Sequence, residues 1–424
     1  MLIKSKVAKL FLMLGMAALI LASCGASFAA DEKIIKIGTI FPLTGPAAVS
    51  GQNCMAAVET AVDIINGKYD WEGFPLAAKE GILDGYKIVL VKADHQGKPD
   101  VAKSEAERLY EQEGVFAVIG SYNSSSSKPA SAVAERINKI FMCGASSSAE
   151  LTERGFNYFF RTAATDAIES AEFAEYITYL NKEKDYGLKT LGLIYENSEF
   201  GKHAADEGKK VAAGMGIEVV ADIPFTVGAT NMNSEILALK ASNPDVVFGA
   251  ALGGDYSLMV RTMKQSSWVP RIFLNYCTGY QNPSINQELG ADGNFYMGGM
   301  GYSPEIAEVY MKAALAAQEL YRAKTGFPFD SDAIQEAVCM LVLAQAIEKA
   351  GEVDTEKVVQ ILRTETFDSP LSLSGKVAFS PGGQNNKAFT VITQIVDQKY
   401  NTIFPDSYKD SELVFPFPEW DKRN

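Results

Sequence analysis

Residues 115–129 read VFAVIGSYNSSSSKP, and residues 140–152 read IFMCGASSSAELT. In both stretches an apolar strand passes through a serine-rich turn into a helix, so the two turns are predicted at the carboxyl ends of neighbouring strands. Such a turn presents backbone N–H groups and the positive end of a helix dipole. Hydroxyl groups placed there, with Lys128 as the one cationic side chain in the two stretches, suit a small anion such as a carboxylate.

The same serines have a second interpretation as helix caps. Ser147 and Glu150 have the spacing of a capping box, in which both side chains bond to backbone N–H groups at the start of a helix. No base close by in the sequence would activate a serine as a nucleophile. The two turns therefore predict either an anion site or a pair of capped helices, and no catalytic serine.

The rest of the chain alternates apolar strands with amphipathic helices. The first series of strands is predicted at residues 34–41, 86–92, 115–119 and 140–142. The same rhythm restarts at Thr190, and the break between the two series falls near residues 161–165. Repeated strand–helix units predict parallel sheets with helices on both faces. The fold class is therefore α/β, with two doubly wound lobes and a ligand cleft at the strand ends.

The later part of the chain is less regular. Its predicted elements are helices at 307–325, 334–350 and 356–363, a strand and turn within residues 367–383, and a last strand at 389–396. Residues 406–424 lack periodicity and are predicted to be a C-terminal tail.

The first 30 residues have the layout of a secretory signal. Three lysines precede an apolar run over residues 10–22, which is shorter than the roughly twenty residues of a spanning helix. The run ends in Leu21-Ala22-Ser23-Cys24-Gly25, which resembles a bacterial lipobox, so residues 1–23 are predicted to be removed and Cys24 to be lipidated. Ser27-Phe28-Ala29 offers a second cleavage site, which would release the chain from the membrane. Both routes predict export.

Composition excludes several classes of function. The chain has 424 residues, is 47% hydrophobic and carries a net charge of −13, which argues against binding to nucleic acid or to anionic lipid. His95 and His203 are the only histidines, which argues against a histidine-based catalytic triad and against a zinc site. The cysteines after Cys24 are widely spaced, and the sequence does not decide whether Cys54 and Cys143 form a disulfide bond. The sequence predicts no metal, no cofactor and no enzymatic activity.

The succession Ile35-Lys36-Ile37-Gly38-Thr39-Ile40-Phe41-Pro42-Leu43-Thr44-Gly45-Pro46, the serine turns, and Phe160-Arg161-Thr162 carry a family resemblance. The chain resembles the leucine/isoleucine/valine-binding proteins of bacterial ABC importers, the type I periplasmic binding proteins, over nearly all of its mature length. The resemblance implies two lobes joined by three crossovers, expected near residues 161–165, 295–303 and 367–372. It assigns residues 33–161 and 301–367 to the first lobe, and residues 162–300 and 368–405 to the second.

The resemblance also implies positions for the ligand. Ser124 falls where the family places the hydroxyl that holds the ligand carboxylate, and the backbone of Ser124 and Ser125 adds N–H donors. Ala145 occupies the position whose carbonyl accepts from the ligand ammonium. Ser147 replaces a threonine that assists both groups.

The chain departs from the family pattern at four positions. Ser50 replaces an aromatic residue before the first helix, and Phe200 replaces a tyrosine in the second lobe. Leu252 replaces a pocket tyrosine, and Tyr276 stands where the family has the acid that pairs with the amino group. An ammonium that lacks its partner loses on the order of 1.5–3 kcal/mol. Asp255 is a candidate replacement if it faces the cleft, although it also suits a helix cap.

These departures leave the ligand open between an aliphatic amino acid and an aromatic or aliphatic organic acid. Tyr276, Tyr280 and Phe200 have a second interpretation as packed core. The resemblance implies a monomeric solute-binding subunit that closes on its ligand by hinge rotation and delivers it to a permease and its ATPase. An amide or urea sensor of the same fold is the alternative function.

Overall fold

The computed structural model describes residues 33–423 except 68, 70, 72, 73, 277 and 278. The predicted signal peptide at residues 1–23, the predicted lipidation site Cys24, and Cys277 lie outside the described residues. From Ile35 onward the chain forms one compact unit.

The first lobe is built on a five-stranded sheet with the order β2-β1-β3-β4-β5. Its strands are β1 (Ile34–Phe41), β2 (Lys87–Asp94), β3 (Ala117–Gly120), β4 (Ile140–Cys143) and β5 (Phe159–Arg161). The pairs β1–β3, β3–β4 and β4–β5 are parallel. Strands β3 and β4 are buried along their whole length, as expected for apolar strands covered by helices on both faces.

The second lobe is built on a seven-stranded sheet with the order β14-β13-β10-β9-β8-β6-β7. Its strands are β6 (Thr190–Glu196), β7 (Glu218–Phe225), β8 (Val246–Ala250), β9 (Phe273–Asn275), β10 (Met297–Met300), β13 (Val391–Val396) and β14 (Lys399–Phe404). The β6–β7, β6–β8, β8–β9 and β9–β10 pairs are parallel, whereas β13 pairs antiparallel with both β10 and β14. A separate pair, β11 (Thr366–Asp368) and β12 (Lys376–Ala378), is antiparallel.

Strand β14 is absent from the sequence prediction, which ended the strands at residue 396. Asp397 and Gln398 join β13 to β14 with φ values of 52° and 62°. A two-residue hairpin with both central residues at positive φ is usually marked by Asn-Gly or Asp-Gly. Because Asp-Gln is not such a signal, the hairpin was not visible in the sequence.

The helices cover the two sheets. They are α1 (Ala48–Ile65), α2 (Pro99–Glu107), α3 (Ser124–Arg136), α4 (Glu150–Glu153), α5 (Asp166–Glu183), α6 (Glu199–Met215), α7 (Asn233–Ser242), α8 (Gly253–Gln265), α9 (Pro283–Leu289), α10 (Pro304–Tyr310), α11 (Lys312–Thr325), α12 (Ser331–Ala350) and α13 (Thr355–Thr364). The single helix predicted over 307–325 is in fact two helices, because the backbone of Met311 leaves the helical region. None of the helices in the described part of the chain is both long enough and apolar enough to cross a membrane.

The expected crossovers remain predictions, and the contacts refine one of them. Helices α11 and α12 pack on α1 of the first lobe. Arg161 of β5 accepts from the Asn385 N–H and donates its own N–H to the Gly383 carbonyl. Since residues 383–385 are bonded to the first sheet, we propose that the third crossing lies after Asn385, and not at 367–372.

The C-terminal tail packs on the second lobe. The Trp420 indole donates to the Trp268 carbonyl at 3.0 Å, and the Arg423 guanidinium lies 3.9 Å from the centre of the Trp420 ring. Tyr186 and Phe415 stack with their ring centres 4.2 Å apart. The tail thus adds burial to the second lobe although its sequence has no periodicity.

Candidate functional site

In each sheet the strand order reverses between two neighbouring parallel strands, and the carboxyl ends of those strands face the cleft. In the first sheet β1 and β3 are neighbours and their following segments diverge, and in the second sheet β6 and β8 have the same relation. Ligands of doubly wound folds bind at such points. The residues that follow β3, β4, β6 and β8 are therefore the ones that the fold brings to the cleft.

An inner cavity of about 140 Å³ lies at this position. Six stretches of chain form its walls, with lining residues Gly97, Tyr122, Asn123, Ser124, Ser125, Ala145, Ser147, Glu196, Ser198, Phe200, Val227 and Leu252. An adjoining outer cavity of about 440 Å³ shares Gly97, Asn123, Val227 and Leu252 with it and also reaches Asp255. Together they are in the size range of small-molecule sites.

A hydrogen-bonded serine network holds the two turns together on the first-lobe side. The Ser127 and Ser146 hydroxyls are 2.8 Å apart, and Ser127 Oγ accepts from the Ser121 N–H at 3.1 Å. The Ser146 hydroxyl donates to the Tyr122 carbonyl at 3.0 Å. These buried serines support the turns, while Ser124, Ser125 and Ser147 remain at the cavity wall.

Arg161 fixes the second serine turn from beneath. Its guanidinium, which is fully buried, donates to the Ser146 and Ser148 carbonyls at 2.9 and 2.6 Å and to Gln384 Oε1 at 2.7 Å. Burial lowers the pKa of Arg161 to about 10, so the group stays charged near neutral pH. The sequence analysis quoted this residue for the family resemblance but assigned it no role.

Two glycines allow the close approach that the turns need. Gly120 ends β3 at φ +149°, and a Cβ there would lie 2.2 Å from the Ile40 carbonyl oxygen. A Cβ on Gly144 would lie 2.5 Å from the backbone at Gln335 and Glu336 in α12. The Ala145 N–H donates to Glu336 Oε1 at 3.0 Å. The conformation of the turn then sets the direction of the Ala145 carbonyl.

The capping interpretation of these serines finds no contact to support it. The residue before α4 is Ala149, and that helix start has no side-chain cap among the described contacts. Ser124 is the first residue of α3, and its Oγ accepts from the Ser148 N–H at 3.4 Å across the two turns. The N–H groups of Ser124 and Ser125 open the helix, where intrahelical acceptors do not exist. They are therefore positioned as donors to a ligand.

His95 is the one histidine close to the serines. Its Nε2 lies 3.0 Å from the Ser121 carbonyl and its Nδ1 3.3 Å from Ser126 Oγ. Burial lowers the pKa of His95, so the ring is neutral at pH 7. Ser126 is fully buried and is not among the residues that line the inner cavity, so this pair supports the turn.

The second-lobe wall includes Glu196, Phe200 and Leu252. Glu196 ends β6 and is 1% exposed. Its carboxylate accepts from the Ser198 hydroxyl at 2.5 Å and from the Leu252 N–H at 3.2 Å. Burial, with a smaller effect of Asp255, raises the pKa of Glu196 to about 7. Sequence reasoning missed this residue, although its place at the end of a strand beside the reversal in strand order was a usable signal.

The other predicted positions lie elsewhere. Asp255 lines the outer cavity, where its carboxylate accepts from the Gly228 N–H at 2.9 Å. Tyr276 is 2% exposed and packs in the second-lobe core against Phe173, with its hydroxyl 2.7 Å from Ser170 Oγ. Ser50 is in the first turn of α1 and lines neither cavity.

Ser50 acts on the site through a neighbour. Burial raises the pKa of the Tyr122 phenol, and the side chain of Ser50 opposes this shift. Tyr122 lines the inner cavity. Tyr122 thus places an aromatic ring from the first serine turn at the cavity wall. Sequence reasoning did not single out Tyr122.

The described part of the chain contains neither a disulfide bond nor a cluster of metal-binding side chains. Cys54, Cys143 and Cys339 are buried free thiols, so the bond left open between Cys54 and Cys143 is not formed in this structure. In the described ranges no group of three or more His, Cys, Asp or Glu side chains could hold a metal ion.

Comparisons with known proteins agree with this architecture. The chain matches the sequence model of the periplasmic binding protein family over residues 34–399. It is 27% identical over 367 residues to the leucine-, isoleucine-, valine-, threonine- and alanine-binding protein of Pseudomonas aeruginosa, covering 86% of this chain and 91% of that protein.

Two solved structures show the same fold. A leucine-binding protein, LivK, from Thermotoga maritima is 21% identical with a TM-score of 0.74, covering 87% of this chain and 98% of that one. A solute-binding protein of an ABC transporter from Rhodopseudomonas palustris, in complex with 3,4-dihydroxybenzoic acid, is 18% identical with a TM-score of 0.74, covering 88% and 96%.

Proposed function

Because the chain belongs to the periplasmic binding protein family, we propose that it captures a small carboxylate-bearing solute in its cleft and delivers it to an ABC permease. The chain is a binding protein of the branched-chain amino acid transporter type. Such proteins bind solutes and are not enzymes. The observation that carries the proposal is the inner cavity, where Ser124, Ser125 and Ser147 face Glu196 and Phe200 across the cleft.

The first-lobe wall supports a carboxylate as the bound group. Two helix-start N–H groups and the hydroxyls of Ser124 and Ser147 converge there, and charge-assisted bonds to such donors are about twice as strong as neutral ones. No lysine or arginine is among the residues that line the inner and outer cavities. A carboxylate is therefore held by dipoles alone.

The second-lobe wall accepts an apolar body. Phe200, Leu252 and Val227 line the inner cavity, and they fit either an aliphatic or an aromatic group. The prediction of an organic acid was drawn from the loss of an acid at position 276 and from the more apolar wall that Leu252 and Phe200 form. The side chain of Tyr276 lies in the core and adds nothing to this wall, so an aliphatic amino acid and an organic acid are both candidate ligands.

Ligand contacts with both walls provide the free energy for closure. A ligand shifts an open–closed equilibrium only through contacts that differ between the two states. We propose that the ligand first binds the serine turns and that hinge rotation then brings Glu196, Phe200 and Leu252 against it. Lys128 of α3 and Glu199 of α6 form an ion pair of 3.0 Å across the cleft, which adds to the closed state.

Ligand stabilisation of the purified chain tests the proposal. A ligand at 100 times its Kd raises the free energy of unfolding by about 2.7 kcal/mol, so thermal unfolding can screen leucine against leucinamide and benzoate against benzamide. We expect the acids to raise Tm and the amides to leave it unchanged. Stabilisation by the amides alone would overturn the carboxylate site and favour the amide- or urea-sensor alternative.

The family is exported, and we propose that lipidation of Cys24 anchors this member to the membrane. Mass spectrometry of the mature N-terminus distinguishes the two processing routes. A lipid-modified Cys24 is the expected result, and an unmodified N-terminus just after Ala29 or Ala30 would contradict it.

A further inference from the structure

A hinge cavity of about 30 Å³ lies beside the inner cavity. The two share Ala145 and Ser147, so a ligand bound at the serine turns borders both. The hinge cavity draws its other walls from both lobes and includes Asp332, Gln335, Glu169 and Lys387. Its volume exceeds the 10–15 Å³ or so that one water-sized group needs, so it can take one ammonium group.

Asp332 is the unusual residue of this cavity. It lies in the first turn of α12 and is 8% exposed. Within the described part of the chain its carboxylate has no hydrogen bond or ion pair. Burial, followed by the charges of Asp330, Glu169 and Glu336, raises its pKa well above the usual range. Gln335 Oε1, on the same cavity wall, is also buried without a partner.

Two other carboxylates at the cleft, Glu196 and Asp255, differ because they accept hydrogen bonds. Glu196 accepts from Ser198 and Leu252, and Asp255 accepts from Gly228. Lys387 is the one cationic side chain that lines the hinge cavity, and it is solvent-exposed. A buried carboxylate with negative neighbours is stabilised by a cationic group that enters the cavity. Because no metal-binding cluster exists among the described residues, an organic ammonium fits best.

We infer that the hinge cavity binds the ammonium group of an amino-carboxylate ligand and that Asp332 is its acceptor. The inference rests on the proposed function, because the serine turns hold the other end of the same molecule. It assigns amino-group specificity to the hinge side of the cleft, whereas the family pattern placed it at position 276 in the second lobe.

The first test needs no variant. Isothermal titration of the native chain compares each of the common aliphatic and aromatic amino acids with its deaminated acid, such as leucine with 4-methylpentanoate and phenylalanine with 3-phenylpropanoate. For the solute that binds, we expect the amino acid to bind about ten- to a hundredfold more tightly, the equivalent of one charged hydrogen bond. Equal or tighter binding of the deaminated acid overturns the inference and leaves the carboxylate site standing. Binding of none of these compounds overturns both.

The second test uses Asp332→Asn, which keeps the shape of the side chain. We expect it to remove the preference for the amino acid and to leave the Kd of the deaminated acid within about twofold. Asp330→Asn is the matched control, because Asp330 is also buried but its carboxylate accepts from the Ala333 N–H and from Asn53. That variant should retain the preference. Loss of the preference in Glu196→Gln with retention in Asp332→Asn would assign the ammonium to the second-lobe wall and overturn the inference.

Discussion

The first lobe meets the cleft with hydroxyl and N–H groups held by a buried network, whereas the second lobe meets it with Glu196 and the apolar side chains of Phe200 and Leu252. The serine turns are braced by Arg161 and by bonds between buried serines. In the second wall the one carboxylate, that of Glu196, accepts hydrogen bonds from Ser198 and Leu252 in the adjoining loops. This difference indicates that the first lobe is a preformed site for the charged end of a ligand, and that the second lobe completes it.

Arg161→Met tests the bracing of the first wall and should have the largest effect. It leaves the buried Ser146 and Ser148 carbonyls without their donor, and we expect a loss of about 3 kcal/mol or more in the free energy of unfolding. Ligand binding should fall with it, because the second turn loses its position. Chemical denaturation and titration measure the two effects.

Arg154→Met is the control for that variant. Arg154 is half-buried in the same lobe and donates to the Lys128 and Leu151 carbonyls and to Ser131, but to none of the serines of the second turn. It should lower stability without changing Kd. If both variants change Kd equally, the bracing role of Arg161 is wrong.

Glu196→Gln tests the second wall through pH. Folding raises the pKa of Glu196 to about 7, so the folded chain keeps a proton that the unfolded chain loses above its ordinary pKa. Stability from this group is therefore lost as pH rises from about 4.5 to 7, by on the order of 2–3 kcal/mol. We expect the variant to have a flatter stability profile between pH 5 and 8, measured by urea unfolding.

Glu172→Gln separates the cleft effect from burial in general. Burial also raises the pKa of Glu172 to about 7, and this residue accepts from the Thr390 N–H at 2.9 Å without lining the inner cavity. Both variants should flatten the stability profile, and only Glu196→Gln should change how Kd varies with pH. An unchanged pH dependence of Kd in Glu196→Gln would remove Glu196 from the binding site.

Ser124→Ala tests the anion site directly. Loss of one hydroxyl donor to a carboxylate should weaken binding about tenfold, which corresponds to 1.4 kcal/mol or so. Because Ser124 caps no helix by its side chain and its bond from the Ser148 N–H is long at 3.4 Å, the Tm without ligand should stay nearly unchanged. Ser104→Ala, at an exposed position of α2, is the matched control and should change neither quantity. A large loss of stability in Ser124→Ala would favour the capping interpretation.

Lys128→Met tests the contact between the walls and should have the smallest effect. The Lys128–Glu199 pair is partly exposed, and such pairs contribute about 0.2–1 kcal/mol. We expect Kd to rise two- to fivefold at low salt. Lys209→Met, which breaks a pair with Asp222 inside the second lobe, should leave Kd unchanged, and an equal effect of both would show that the ion pair does not act on closure.

The fold class was predictable because it depends on the period of apolar residues, and it is confirmed. The serine turns were predictable as a pair because strand ends in a parallel sheet lie at one edge. Tyr276 was misplaced in space because alignment transfers a position along the chain but not the direction of a side chain. Glu196, Tyr122 and Asp332 were missed because their roles arise only when loops distant in sequence share a cavity.

Mass spectrometry of the solute released when the purified chain is denatured tests the central claim most directly. The structure predicts a small molecule with a carboxylate group, since the first-lobe wall offers hydroxyl and N–H donors and no cationic side chain. Recovery of an amide, urea or another solute without a carboxylate would contradict the account.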